Sequence, residues 1–271
     1  MTLPVSQQQQ TLPASAANRL GGSQQGGKQF FTSDLSVNEF VLTTQAGFEP
    51  IGMVVGTCFY HVGMQASKWS VSQELTVLSQ AMYNCRELAM ARMEAEADAL
   101  GADGVIGVQL RSVNYLFAGD VLEFLAVGTA VKATDGKSYR TAAGRPFTSH
   151  LSGQDFWTLL HHGWIPRSMV LGTCVYHIAH MTFRQMLAQT GQNVEMTLFS
   201  QAAYDAREIS MARMQYEGQQ VGADGVVGVT VSEHAWSWGE HAIEFFALGT
   251  AISRLHADAE PMKPSLVIPL T

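Results

Sequence analysis

Charge is what this sequence has least of. Only 14% of its 271 residues are Asp, Glu, Lys or Arg, against about 25% in an average soluble domain. Disorder does not explain the shortage. Disordered chains combine low hydrophobicity with high net charge, and 46% of this chain is hydrophobic. A membrane helix does not explain it either, because no uninterrupted apolar run reaches the ~18 residues that a span needs. Interface cores are depleted in charged residues, so the shortage points to surface hidden in an assembly. Basic clusters are also missing. With a net charge of −7 and no Lys/Arg run, the chain lacks the patch that nucleic acid or an anionic membrane would require. The opening stretch, MTLPVSQQQQTLPASAANRLGGSQQGG, has no basic segment followed by an apolar one and does not read as a secretory signal. Cysteine is sparse: Cys58, Cys85 and Cys174, with no C-x-x-C. That argues against a disulfide framework or a zinc knuckle and for a reducing, cytoplasmic setting. No nucleophile–base pair, metal triad or cofactor motif is legible, so an enzyme is not expected.

What is present is a repeat. The stretch LSVNEFVLTTQAGFEPIGMVVGTCFYH (35–61) returns as LSGQDFWTLLHHGWIPRSMVLGTCVYH (151–177), 116 residues on. SQAMYNCRELAMARMEAE (79–96) returns as SQAAYDAREISMARMQYE (200–217), now 121 residues on. The second copy therefore carries five extra residues between these blocks. GADGVIGV (101–108) and EFLAVGTAV (123–131) recur as GADGVVGV (222–229) and EFFALGTAI (244–252). The expected organisation is a disordered Gln/Gly-rich tail over 1–33, unit 1 over 34–133, a linker over 134–149, unit 2 over 150–256 and an extended tail over 257–271. Each unit has the size of a small domain.

Within a unit, a short helix (37–46, 153–162) ends at Gly47 or Gly163. Met53–His61 is rich in Val and aromatics and reads as a strand that starts after Pro50. Over 71–100, Leu78, Met82, Cys85, Ala89 and Met93 step at helical spacing, and Gly101 sits where a left-handed residue ends a helix. Two further strands follow as an antiparallel hairpin. The reading is a two-layer α/β unit: one long helix on a three-stranded antiparallel sheet, in the order β-α-β-β. One helix covers one sheet face. On the third strand Val121, Leu125 and Val127 share one side with Glu123, and Leu122, Phe124 and Ala126 share the other; the apolar side left without a helix needs another sheet, a sister unit or another chain.

Cys85-Arg86-Glu87, Gly101–Val108 and Gly128–Val131, with second copies at Ala206-Arg207-Glu208, Gly222–Val229 and Gly249–Ile252, resemble the YbjQ-like family. The resemblance covers both units, roughly 50–132 and 166–253. It implies a dodecin-like β-α-β-β fold, homo-oligomeric ring assembly based on pentamers, and a heavy-metal-binding label. The usual Gly-Gly-Arg segment before the main helix is replaced here by Ser67-Lys68-Trp69-Ser70 or by an insertion around Gln189–Met196.

The metal label directs attention to Cys58 and His61, repeated as Cys174 and His177, with His180 beyond. Thiolate and imidazole suit zinc or copper. On a strand, however, a spacing of three puts Cys58 and His61 on opposite faces. Cys174 and His180 share a face but lie ~20 Å apart if extended. Arg86–Glu87 and Arg207–Glu208 are helix neighbours that do not face each other, and they read as interface or structural polar groups. Glu123 and Glu244 sit inside apolar strands. A buried carboxylate needs a partner, and Arg86 or Arg92 is the expected one. The functional expectation is a non-enzymatic, homo-oligomeric ring or shell scaffold, whose apolar SLVIPL tail could add as a strand to a protein partner. The alternative is a heavy-metal or small-ligand binder in a stress response.

Overall fold

In a computed structural model of the chain, the structure describes residues 12–22, 30–65, 68, 70–115, 121–180, 193–235 and 241–255. The expected tail 257–271 lies outside them. Two units of the same design follow one another. Unit 1 contains α2 (Val37–Gln45), β1 (Phe48–His61), β2 (Gln73–Glu74), α3 (Thr76–Ala99), β3 (Gly104–Tyr115) and β4 (Val121–Ala133). After β5 (Phe147–Thr148), unit 2 contains α4 (Gly153–His161), β6 (Trp164–His177), α5 (Thr197–Gln220), β7 (Gly225–Ala235) and β8 (Ala242–Arg254). A helix α1 (Ala14–Gly22) precedes them. The stretch 1–33 is therefore not wholly a tail: α1 buries Leu20 and anchors Arg19 on Glu96 of α3.

The local signals act as the sequence requires. Ser36 and Glu39 close a capping box at the start of α2, satisfying two backbone donors reciprocally. Gly47, Gly101 and Gly163 adopt φ of 83°, 70° and 76°, conformations that L side chains avoid. The strands run longer than expected. β1 passes through Pro50 and β6 through Pro166, each with a register shift at that point. A bulge accommodates the missing N–H of proline. Each helix lies close on its own sheet. A Cβ on Gly56 would stand 1.9 Å from the Ala89 carbonyl oxygen, and one on Gly172 would stand 1.8 Å from that of Ser210.

The three antiparallel strands of each unit are present, but each sheet has a fourth. The orders are β1-β4-β3-β5 and β2-β6-β8-β7. β5 comes from the segment expected to be only a linker and runs parallel to β3. β2 belongs to unit 1 by sequence, yet it pairs with β6 of unit 2, Gln73 beside His177 and Glu74 beside Tyr176. The units are interlocked through these exchanged strands. No helix among the described residues is long and apolar enough to cross a membrane.

Candidate assembly interface

The junction between the units carries a dense network of polar contacts. At its edge, β2 hands Glu74 to Arg213 of α5 in a two-pronged ion pair of 2.6 and 3.0 Å. The same guanidinium also donates to the Thr173 carbonyl at 2.7 Å. Bidentate Arg–carboxylate geometry adds specificity as well as strength. Ser79, at the start of α3, accepts the Val175 N–H at 3.0 Å, and Ser72 accepts the Ala179 N–H at 3.0 Å. The Leu75 N–H completes the strand exchange by donating to the Val175 carbonyl at 2.8 Å.

Deeper in, Arg86 reaches Glu217 of α5 and Glu87 of its own helix. Glu217 accepts the Leu171 N–H through its other oxygen. Burial opposes the charge on Arg86, but Glu87 and Glu217 outweigh it and hold the guanidinium firmly protonated. Tyr83 lies under Arg86, 5.0 Å from ring centroid to guanidinium carbon. Burial and the nearby carboxylates push its hydroxyl up to about 12. These groups line a cleft of about 830 Å³ between α3 and α5, which also receives Glu94 and Arg145. Burial raises the Glu94 carboxyl to about 7, against the pull of Arg145.

The junction has an aromatic side as well. Phe147 of β5 and Phe156 of α4 stack at 5.9 Å, and both meet Phe48 of unit 1 edge-on. Thr148 accepts the Met169 N–H, so β5 is hydrogen-bonded to both units.

The residues singled out from sequence distribute unevenly over this geometry. Arg86 and Glu87 do meet, at 2.9 Å, and so do Arg207 and Glu208, at 2.7 Å. The long guanidinium stem spans a separation that the helix positions alone disfavour. Arg86 is not the partner of Glu123: it goes to Glu87 and Glu217, while Arg92 donates to the Thr57 carbonyl. Glu123 stands across the ladder from Phe59 and Val113, and Glu244 from Val175 and His234.

Cys58 and His61 do not converge. The Cys58 thiol is buried beneath α3, while His61 is exposed at the strand end. Cys58 instead meets Cys85, which brings its thiol down to about 7 with help from Arg92. The same contact, together with burial, pushes Cys85 up. Burial pushes Cys174 up to about 12, which disfavours the thiolate a soft metal needs. His177 and His180 lie 5.8 Å apart, and His180 lies 4.0 Å from His241, between ring centroids. Among the described residues, no three His, Cys, Asp or Glu side chains are placed to hold a metal ion.

Sequence reasoning missed Glu74, Arg213 and Glu217, the groups that lock the junction. It also missed Phe147-Thr148-Ser149, which repeats Phe31-Thr32-Ser33 just upstream of the long repeated block of each unit.

Two interlocked β-α-β-β units with paired GADG turns define a tandem YbjQ-like protein. The chain belongs to that family, described as "Putative heavy-metal-binding", whose pattern matches residues 50–134 and 161–254. Over 264 residues the chain is 48% identical to encapsulin nanocompartment protein Rv1762c of Mycobacterium tuberculosis (strain ATCC 25618 / H37Rv), covering 97% of this chain and 99% of that protein. It is also 34% identical over 89 residues to a UPF0145 protein of Pseudothermotoga lettingae, covering 31% of this chain and 82% of that protein. With a UPF0145 protein of Methanosarcina acetivorans it shares 37% identity over 87 residues, covering 30% and 80% respectively. The last two alignments are about the length of one unit.

Proposed function

We propose that this protein is a structural, non-enzymatic building block that assembles with copies of itself into the shell of a protein compartment. One observation carries the reading. Val175 and Phe59 occupy the same place in the two units, on the sheet face turned away from the helix. Val175 is 0% exposed because unit 1 covers it, whereas Phe59 is 61% exposed. Met53, Val55 and Thr57, along the same face as Phe59, are half-buried, while Met169, Leu171 and Thr173 are buried in unit 2. An apolar face that is sealed in one unit and open in its duplicate calls for a further copy.

The similarity to a protein named for an encapsulin nanocompartment gives that assembly its form, a shell rather than a dimer. Pentamer-based closure, a cytoplasmic location and recruitment of a protein partner through SLVIPL belong to the same proposal. The test is light scattering on purified protein, with electron microscopy of the same fraction. Closed particles many times the 29.4 kDa chain mass are expected. A 29.4 kDa species at all concentrations would end the reading.

A further inference from the structure

The internal duplication specifies how copies meet. Each contact across the unit 1–unit 2 junction has a donor side and a receiver side. The main groups of the donor side recur 121 residues later, in unit 2, with Asn193 in the place of Ser72 and Val194 in that of Gln73. The main receiver groups recur 116 or 121 residues earlier, in unit 1. β2, with Gln73–Glu74, corresponds to Val194–Glu195, Ser79 to Ser200 and Arg86 to Arg207. On the receiving side, Tyr176–His177 corresponds to Tyr60–His61, Arg213 to Arg92 and Glu217 to Glu96.

Apart from Glu96, which is buried against Arg19 of α1, the recurring groups are at least partly exposed. Val194 and Glu195 are exposed, and the Arg207 side chain is 41% exposed where that of Arg86 is 3%. Among the described residues the edge of β1 at Tyr60–His61 has a partner on one side, β4, whereas β6 has β8 and β2. The receiver groups are already posed. Arg92 donates to the Thr57 carbonyl as Arg213 donates to that of Thr173. Among the described residues Arg92 meets no carboxylate, where Arg213 holds Glu74. Glu96 accepts the Val55 N–H at 2.8 Å, as Glu217 accepts that of Leu171 at 2.9 Å. The guanidinium facing Glu96 is supplied by Arg19 of α1.

The aromatic side recurs in the opposite direction. Phe31 stacks on Phe40 at 5.6 Å as Phe147 stacks on Phe156. Phe147, however, covers Gly104, whose added Cβ would sit 2.3 Å from its ring, while Gly225, the counterpart of Gly104, has open space. Ser33 is bonded to Thr129 at 3.0 Å as Ser149 is to Thr250 at 3.2 Å. The segment before unit 1 is thus folded in the posture of β5 but, among the described residues, pairs with no strand on its outer edge.

We propose that copies of this chain join head to tail through a second version of the internal junction. Val194–Glu195 of one copy adds as a short strand beside Tyr60–His61 of the next, with Glu195 on Arg92 and Arg207 on Glu96. Phe31 of that next copy settles over Gly225 of the first. The two directions agree with each other, as they do inside the chain. Such a heterologous contact closes into a ring when the repeated rotation returns to its start. It also spaces equal units evenly, so that chain boundaries and unit boundaries become alike.

The proposal rests on the shell-block reading, and the experiment separates the two. Native mass spectrometry would compare wild type with Glu195→Arg, Arg92→Glu and the double reversal, with thermal unfolding run alongside. Each single reversal is expected to weaken association by about tenfold or more, because like charges then face each other. The double reversal is expected to restore it. Gly225→Leu supplies a second probe: the open space admits the side chain within one copy, but the place of Phe31 is filled, so assembly is expected to fall while unfolding stays near wild type. A monomeric wild type would defeat the shell reading itself. An oligomeric wild type whose assembly survives the single reversals and Gly225→Leu, or is not restored by the double reversal, would overturn the head-to-tail junction alone.

Discussion

Replacing Arg86 by Met tests the energetics of the junction inside one chain. The Arg86 side chain is 3% exposed and its partner Glu217 18%. Removing one member of a fully buried pair costs about 3–5 kcal/mol, because the other charge is left uncompensated. Two features reduce that here. Glu217 keeps some access to water, and its second oxygen retains the Leu171 N–H at 2.9 Å. The expected loss is therefore about 2–4 kcal/mol. The contact with Glu87 adds little, since that carboxylate is 40% exposed and such pairs contribute about 0–1 kcal/mol. For a chain of this size the loss corresponds to a drop in melting temperature of about 5–10 °C. Urea unfolding at fixed protein concentration is the assay, since assembly adds to apparent stability. Arg86→Met combined with Glu217→Gln removes both charges, and the pair should lose clearly less than the sum of the two single changes. A single variant within about 1 kcal/mol of wild type, or a strictly additive double variant, would refute the reasoning.

Three further outcomes are expected. Gly56→Ala places a Cβ 1.9 Å from the Ala89 carbonyl and 2.5 Å from the Met93 nitrogen, backbone that cannot step aside, so the helix must lift. A loss of about 3 kcal/mol or more should appear in thermal unfolding, and an unchanged melting temperature would contradict the close approach. Glu94 titrates at about 7 instead of 4.5 because it is buried. Its folded-state value is raised, so its contribution to stability is fully present below pH 4.5 and lost as pH rises through 7. Relative to Glu94→Gln, wild type should lose on the order of 3 kcal/mol between pH 4.5 and 8; parallel pH profiles would refute this. Arg19 occupies the carboxylate that the junction between copies needs, so removing residues 1–22 should speed assembly from dissociated chains. Light scattering after dilution from denaturant would read it, and a slower or unchanged rate would contradict a covering role for α1.

The long helices, the paired hairpins and the glycine turns were legible because each carries its own periodicity or stop signal. Gly101 and Gly163 announce left-handed φ by residue type alone. That one apolar sheet face stays open was legible too, since Val121, Leu125 and Val127 alternate with Leu122, Phe124 and Ala126 and one helix covers one side; which side it covers was not. The exchanged strands were not. Gln73–Glu74 is two polar residues long, and its partner lies about a hundred residues away, so no local pattern marks it. Pro50 looked like a boundary, because a bulge that tolerates proline inside a strand has no signature of its own. The reach of Arg86 across the cleft to Glu217 depends on how α3 and α5 are brought together, which helix periodicity does not encode. The Phe-Thr-Ser repeat was visible in principle, but it lies in stretches whose composition suggested a tail and a linker.

A cryo-electron microscopy reconstruction of the assembled protein tests the central claim most directly. Phe59 and the outer face of β1 are expected to be buried by a neighbouring copy, with Glu195 of that copy on Arg92. An assembly in which that face remains open to solvent, or no assembly at all, would contradict it.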